Sequence, residues 1–170
     1  MKVNFALIKT NFPGHQIADM NQTILLVSVV VIWIAVVVGT YQRFFEMPKW
    51  FADPPASFEL IRKQSKKAKA FWIPLSSVFM ISVCTALILN WQFVDTRIHI
   101  IGSIICFGLT GLLSGIFFVK EVIAFTKIPP TAPQTPELLN RVKFWLRWTT
   151  VRDILQLFAA IFLTIAYIHL

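Results

Sequence analysis

The stretch FWLRWTTVRDILQLF, residues 144–158, places Trp145, Thr149, Arg152 and Gln156 at successive steps of three or four residues. That spacing aligns side chains on one face of an α-helix. Arg152 is followed directly by Asp153, and beyond Asp153 no Lys, Arg, Asp or Glu occurs up to Leu170. A guanidinium on such a face can grip an anionic or phenolic ligand, and a neighbouring carboxylate can take up a proton. Arg152 is therefore the candidate anion-binding group, with Glu121 or Asp153 as the candidate proton acceptor. Tyr41, Arg43, Trp145, Trp148 and Gln156 are the candidate ligand-binding residues, because each falls at the same end of an apolar segment. The same charges also have a purely structural use, in which Glu121 and Asp153 are ion partners that let arginines sit at a membrane boundary.

The elements that must position these groups are membrane helices. Of 170 residues, 56% are hydrophobic and 14% charged, and the mean hydropathy is +0.69, far from the balance of a soluble domain. Apolar spans are expected at residues 23–42, 70–91, 98–119 and 148–168, each able to cross about 30 Å of hydrocarbon at 1.5 Å per residue. The fold class expected is an all-α, four-transmembrane-helix bundle forming a single membrane domain over residues 1–170. The last span reaches across only if its helix begins near Trp148, which sets Arg152 and Asp153 about one turn, roughly 6 Å, inside the boundary. There an arginine can snorkel outward, and tryptophans suit the headgroup layer.

The net charge of +8 does not indicate nucleic acid, because the basic residues follow the spans. Thirteen of the sixteen Lys and Arg lie in two loops: Arg43, Lys49, Arg62, Lys63, Lys66, Lys67 and Lys69, then Lys120, Lys127, Arg141, Lys143, Arg147 and Arg152. The positive-inside rule puts loops 43–69 and 120–147 in the cytoplasm and both termini outside, as in a bacterial inner-membrane protein. No cleavable signal is expected, since Lys9, Asn11, Pro13 and Gly14 break the stretch after Lys2.

Both loops carry helical stems. Ser57 is an expected cap for a helix running into span two, and Pro74 an expected kink within it. Thr135-Pro136-Glu137 is a strong helix start, and a helix continuous from Pro136 to Ile168 would be about 50 Å long. Gly102, Gly108, Gly111, Ser114 and Gly115 should let span three pack closely, whereas bulky span one should face lipid or a partner subunit. Residues 1–22 read as an outer segment on the membrane or capping the bundle. Cys84 and Cys106 read as small buried core residues without a disulfide, and the absence of Cys-x-x-Cys argues against thiol redox chemistry. His15, His99 and His169 fall on the outer side at spacings unsuited to paired ligands, so neither metal nor cofactor is expected.

The order of four spans, RFFEMP closing the first, and the ending TPELLNRVKFWLRWTTVRDILQLFAAIFL together resemble the anthrone-oxygenase-like family of small four-helix membrane proteins. The likeness is concentrated in the last third, where Trp145 or Trp148, Val151 and Arg152 match the family's tryptophan and Val-Arg positions. It implies a helical bundle and, for some members, oxidation of fused-ring phenolic anthrones by dioxygen without an obvious metal. Two functions are therefore open. One is a cofactor-independent, oxygenase-like protein that binds a lipophilic phenolic or quinone-type ligand. The other is a non-catalytic accessory subunit with a membrane protein partner or homo-oligomer. A transporter fits poorly, since no charge falls at mid-span.

Overall fold

The computed structural model describes residues 14–170, with side chains from residue 19 onward. The described chain is helical throughout apart from its connections. Helix α1 (Gly14–Tyr41) runs through a π-helical turn, Gln42–Glu46, into α2 (Met47–Trp50), and α3 spans Phe58–Leu89. Helix α4 (Val94–Leu113) runs through a second π turn, Ser114–Phe118, into α5 (Val119–Lys127), and α6 spans Pro136–Ile168. The four resulting rods, taken over Asp19–Trp50, Phe58–Leu89, Val94–Lys127 and Pro136–Ile168, are all long and apolar enough to cross a membrane. The protein is an integral membrane helical bundle. Each rod exceeds the roughly 20 residues a bilayer requires, so part of each projects beyond the hydrocarbon.

Helix α6 is continuous, and Thr135 caps it by accepting a hydrogen bond from the Leu138 N–H at 3.2 Å. Ser57 does not cap α3. Its hydroxyl donates to the Trp50 carbonyl at 2.7 Å and accepts from Asp53 N–H at 3.3 Å, so it closes the 51–57 connection instead. Pro74 lies within α3. Residues 14–22, expected outside the first span, belong to α1, whereas residues 1–13 and the His15 side chain lie outside what is described.

Two hydrophobic clusters hold the rods together. One, within the spans, joins Leu25 and Ile32 to Phe79, Val83 and Ile100, and to Ala159, Ala160 and Leu163. The other is aromatic and lies nearer the stems, joining Trp50 and Phe58 to Phe118, Phe125 and Trp145. The polar and small face of α6 points inward as its periodicity requires, with Trp145, Thr149, Gln156, Ala159 and Leu163 all buried.

The helix roles differ from expectation at two places. Span one is the most enclosed of the four, with 33% of its window buried against 17% for each of the next two. Lipid is as apolar as a side chain, so bulk hydrophobicity cannot tell a lipid-facing surface from a packed one. The buried polar groups of α1, Asn21 and Ser28, mark its inner face instead. In α4, a Cβ placed on Gly102 would lie 3.4 Å from Phe162, which is a close helix contact, but one placed on Gly108, Gly111 or Gly115 would meet nothing within 4 Å. The Gly111–Gly115 pair therefore faces open space in the monomer. Cys84 is likewise exposed and Cys106 half-buried, and both are free thiols rather than buried core.

A candidate ligand cavity beside the last helix

Helices α3 and α4–α5 are tied together at both ends. A tight turn links Leu89 to Val94, with Asn90 buried in it. At the other end Arg62 donates to the carbonyls of Thr126, at 2.8 Å, and Ile128, while pairing with Glu59 at 2.7 Å. Those carbonyls end α5, where backbone acceptors lack helical donors and the dipole favours a cation. Between the ties small residues, Ala68, Ser76 and Ser77 on α3 with Gly111 and Ser114 opposite, are interspersed among larger ones. The helices cannot close over them, and a cavity of about 880 Å³ is left, with α1 and α6 behind it. Gln42 of one π turn with Met47 just after it, and Ser114 and Phe118 of the other, line its wall. Single π turns shift helical register and recur at functional sites.

Helix α6 contributes Trp145, Arg152 and Gln156 to the lining. Trp145 is 2% exposed and Gln156 7% exposed, and the Trp145 Nε1 and Gln156 Nε2 donors have no hydrogen-bond partner. Buried donors left unpaired are unusual and costly. Arg152 donates to Asp153 Oδ1 through Nε at 3.2 Å and Nη2 at 2.9 Å, and its guanidinium lies 5.1 Å over the Phe118 ring. Phe118 in turn meets Trp145 edge to face, with ring centroids 5.5 Å apart. A guanidinium carries five N–H groups, so donors remain on Arg152 after its bond to Asp153. Arg152 can therefore present N–H groups, beside the Phe118 ring, to an acceptor oxygen on a flat ligand.

The expected single cluster does not form; the candidate residues divide among several places. Arg43 crosses to α6 and donates to the Leu146 carbonyl at 2.9 Å and to the Thr150 hydroxyl. Glu121 pairs with Arg141 at 3.0 Å. These two line a separate hollow with Phe117, Glu137, Asn140 and Phe144. Arg141 lies about 16 Å along the α6 axis from Arg152, which is why Glu121 cannot serve both. Tyr41 is exposed and stacks on Phe45 at 5.1 Å, and Trp148 is exposed beside Phe144 at 6.0 Å. Arg152 with Asp153, Trp145 and Gln156 remain together.

Several lining residues gave no signal in the sequence. Gln64, which accepts from Trp50 Nε1 at 2.7 Å, and Lys69 and Trp72 sit on the stem and first turns of α3. The run of small residues on α3 facing the glycines of α4 was the available clue. At the opposite end His99 and His169 stack at 5.7 Å, but no group of three or more His, Cys, Asp or Glu able to hold a metal occurs among the described residues.

Fold and cavity define the class: a four-helix membrane bundle with a ligand-sized space against α6. Comparison with protein-family models, with curated proteins and with solved structures found no match.

Proposed function

We propose that the protein binds a lipophilic phenolic or quinone-type molecule in the cavity beside α6 and acts on it as a cofactor-independent, oxygenase-like enzyme. The observation that supports this reading is the lining itself, largely apolar along its length, with Trp145, Arg152 and Gln156 on one wall. A phenolate or quinone oxygen would accept hydrogen bonds from Arg152, and its ring would rest against Phe118. The likeness of residues 135–163 to the anthrone-oxygenase-like family points to the same chemistry.

In this reading Arg152 stabilises the phenolate, and Asp153, its ion partner, takes the proton; Glu121, held by Arg141, is the less suited acceptor. The electron-rich ring then reacts with dioxygen. A methylene between two aryl rings loses two hydrogens and gains one oxygen atom as a carbonyl, and the second oxygen leaves as water. Purified protein supplied with a fused-ring anthrone should consume one O₂ per quinone formed, faster than the protein-free reaction. Equal rates with and without protein would discard the catalytic step.

The proposed setting is a bacterial inner membrane with both basic loops in the cytoplasm. A membrane-impermeant amine reagent added outside intact cells should then spare Lys63, Lys66 and Lys67; their labelling would invert the topology. A non-catalytic accessory subunit is the second reading. It is favoured by the low burial of the second and third spans, 17% each, and by the uncovered Gly108 and Gly115. Stable co-purification with one defined membrane protein would support it, and a chain isolated alone in mild detergent would count against it.

A further inference from the structure

The cavity is longer than a fused-ring phenol needs. Its lining runs along α3 from Ile61 to Phe79 and along α4–α5 from Thr126 to Phe107, about 27 Å at 1.5 Å per residue. Its volume of about 880 Å³ lies near the top of the roughly 300–1,000 Å³ range of small-molecule sites.

Polarity is distributed unevenly over that length. Arg152 supplies free N–H groups from α6, and Gln64 and Lys69 add polar groups from the stemward half of the α3 lining. Deeper in, three hydroxyls donate to their own helices, Ser77 to the Ile73 carbonyl at 2.9 Å, Thr110 to Cys106 at 3.1 Å and Ser114 to Thr110 at 2.8 Å, and only Ser76 is left over. The rest there is hydrocarbon from Val31, Ile32, Leu75, Phe79 and Phe107. From Phe118, under the Arg152 guanidinium, to Phe107 the helix advances about 16 Å.

Building on the reading that the α6 wall holds a phenol or quinone oxygen, we infer that the ligand is a tailed amphiphile. Its ring sits at Arg152, and a long alkyl or isoprenoid chain runs down the apolar bore to Phe79 and Phe107. The ring oxygen would accept from the Arg152 N–H groups that the bond to Asp153 leaves over. The chain would fill a bore that offers water few polar partners. A ligand of this shape enters from the bilayer, tail alongside the helices, rather than from the aqueous phase.

Gly111 offers a direct test. It lines the bore about 10 Å from Phe118, and a Cβ there meets no existing atom within 4 Å. Gly111→Leu should plug the tail path and leave the ring site open, with Gly111→Ala as a graded version. Gly108→Leu is the control, since Gly108 is equally unobstructed and does not line the cavity.

Binding of a decyl-tailed benzoquinone and of the same ring without its tail would be followed by quenching of tryptophan fluorescence in the full chain. The tail is expected to raise affinity at least tenfold in the wild type and in Gly108→Leu. Gly111→Leu should abolish that gain without changing binding of the bare ring. Equal affinity for the two probes, or a gain that survives Gly111→Leu, would overturn the tailed ligand while leaving the ring site standing. Failure of both probes to bind the wild type would remove the ring site and this inference with it.

Discussion

Replacing Arg152 with alanine is expected to weaken binding of a quinone or phenol probe by about tenfold to a hundredfold, the loss of one or two charge-assisted hydrogen bonds. Its guanidinium is the only cationic group that α6 gives to the cavity, and it is already oriented by Asp153 and by the Phe118 face. The fold should survive. Asp153 has 26% of its side chain exposed and can rehydrate once its partner is gone. Arg152→Lys should recover only part of the affinity, because an ammonium cannot hold Asp153 and a ligand with one planar fork. Fluorescence titration of the three proteins, with helical content checked by circular dichroism, gives the comparison. Undiminished affinity in a folded Arg152→Ala protein would remove Arg152 from the site.

The second large effect belongs to a residue with no part in the chemistry. Arg62→Ala should lower stability by about 2 kcal/mol, since it strips charged donors from two terminal carbonyls of α5 and leaves Glu59 without its closest partner. The consequence is local as well as global. Arg62 closes the stem end of the gap between α3 and α5, so its removal should raise amide hydrogen exchange together at Phe125–Ile128 and over the first turns of α3. Arg62→Lys should not rescue it, because a single ammonium cannot reach both carbonyls and the carboxylate. Unchanged exchange at Phe125–Ile128 in Arg62→Ala would show that the clamp contributes nothing to closure.

The helices were legible because their signals are strong and local. Four apolar windows exceeded a bilayer's thickness, Thr135-Pro136-Glu137 announced the start of α6, and the Trp145–Gln156 face followed from helical spacing alone. Partner choice was not legible in the same way. Glu121, Arg43 and Arg152 all fall near the same ends of their spans in sequence, yet Glu121 pairs with Arg141, about 16 Å along α6 from Arg152, and only the register and azimuth of the packed helices decide this. The burial of α1 was misjudged for a related reason: in lipid, apolar surface is compatible with either side, and only Asn21 and Ser28 carried directional information. The cavity left the faintest trace. It arises where small residues on α3 meet Gly111 and Ser114, and the sequence shows such residues equally well as a close contact or as a gap.

Mass spectrometry of organic extracts from the chain purified in mild detergent, with no ligand added, puts the cavity to its most direct test. Near one equivalent of an aromatic, oxygen-bearing lipophile per chain is expected from the wild type, with much less from Arg152→Ala. Phospholipid alone, in equal amounts from both proteins, would contradict a phenol or quinone site on the wall formed by Trp145, Arg152 and Gln156.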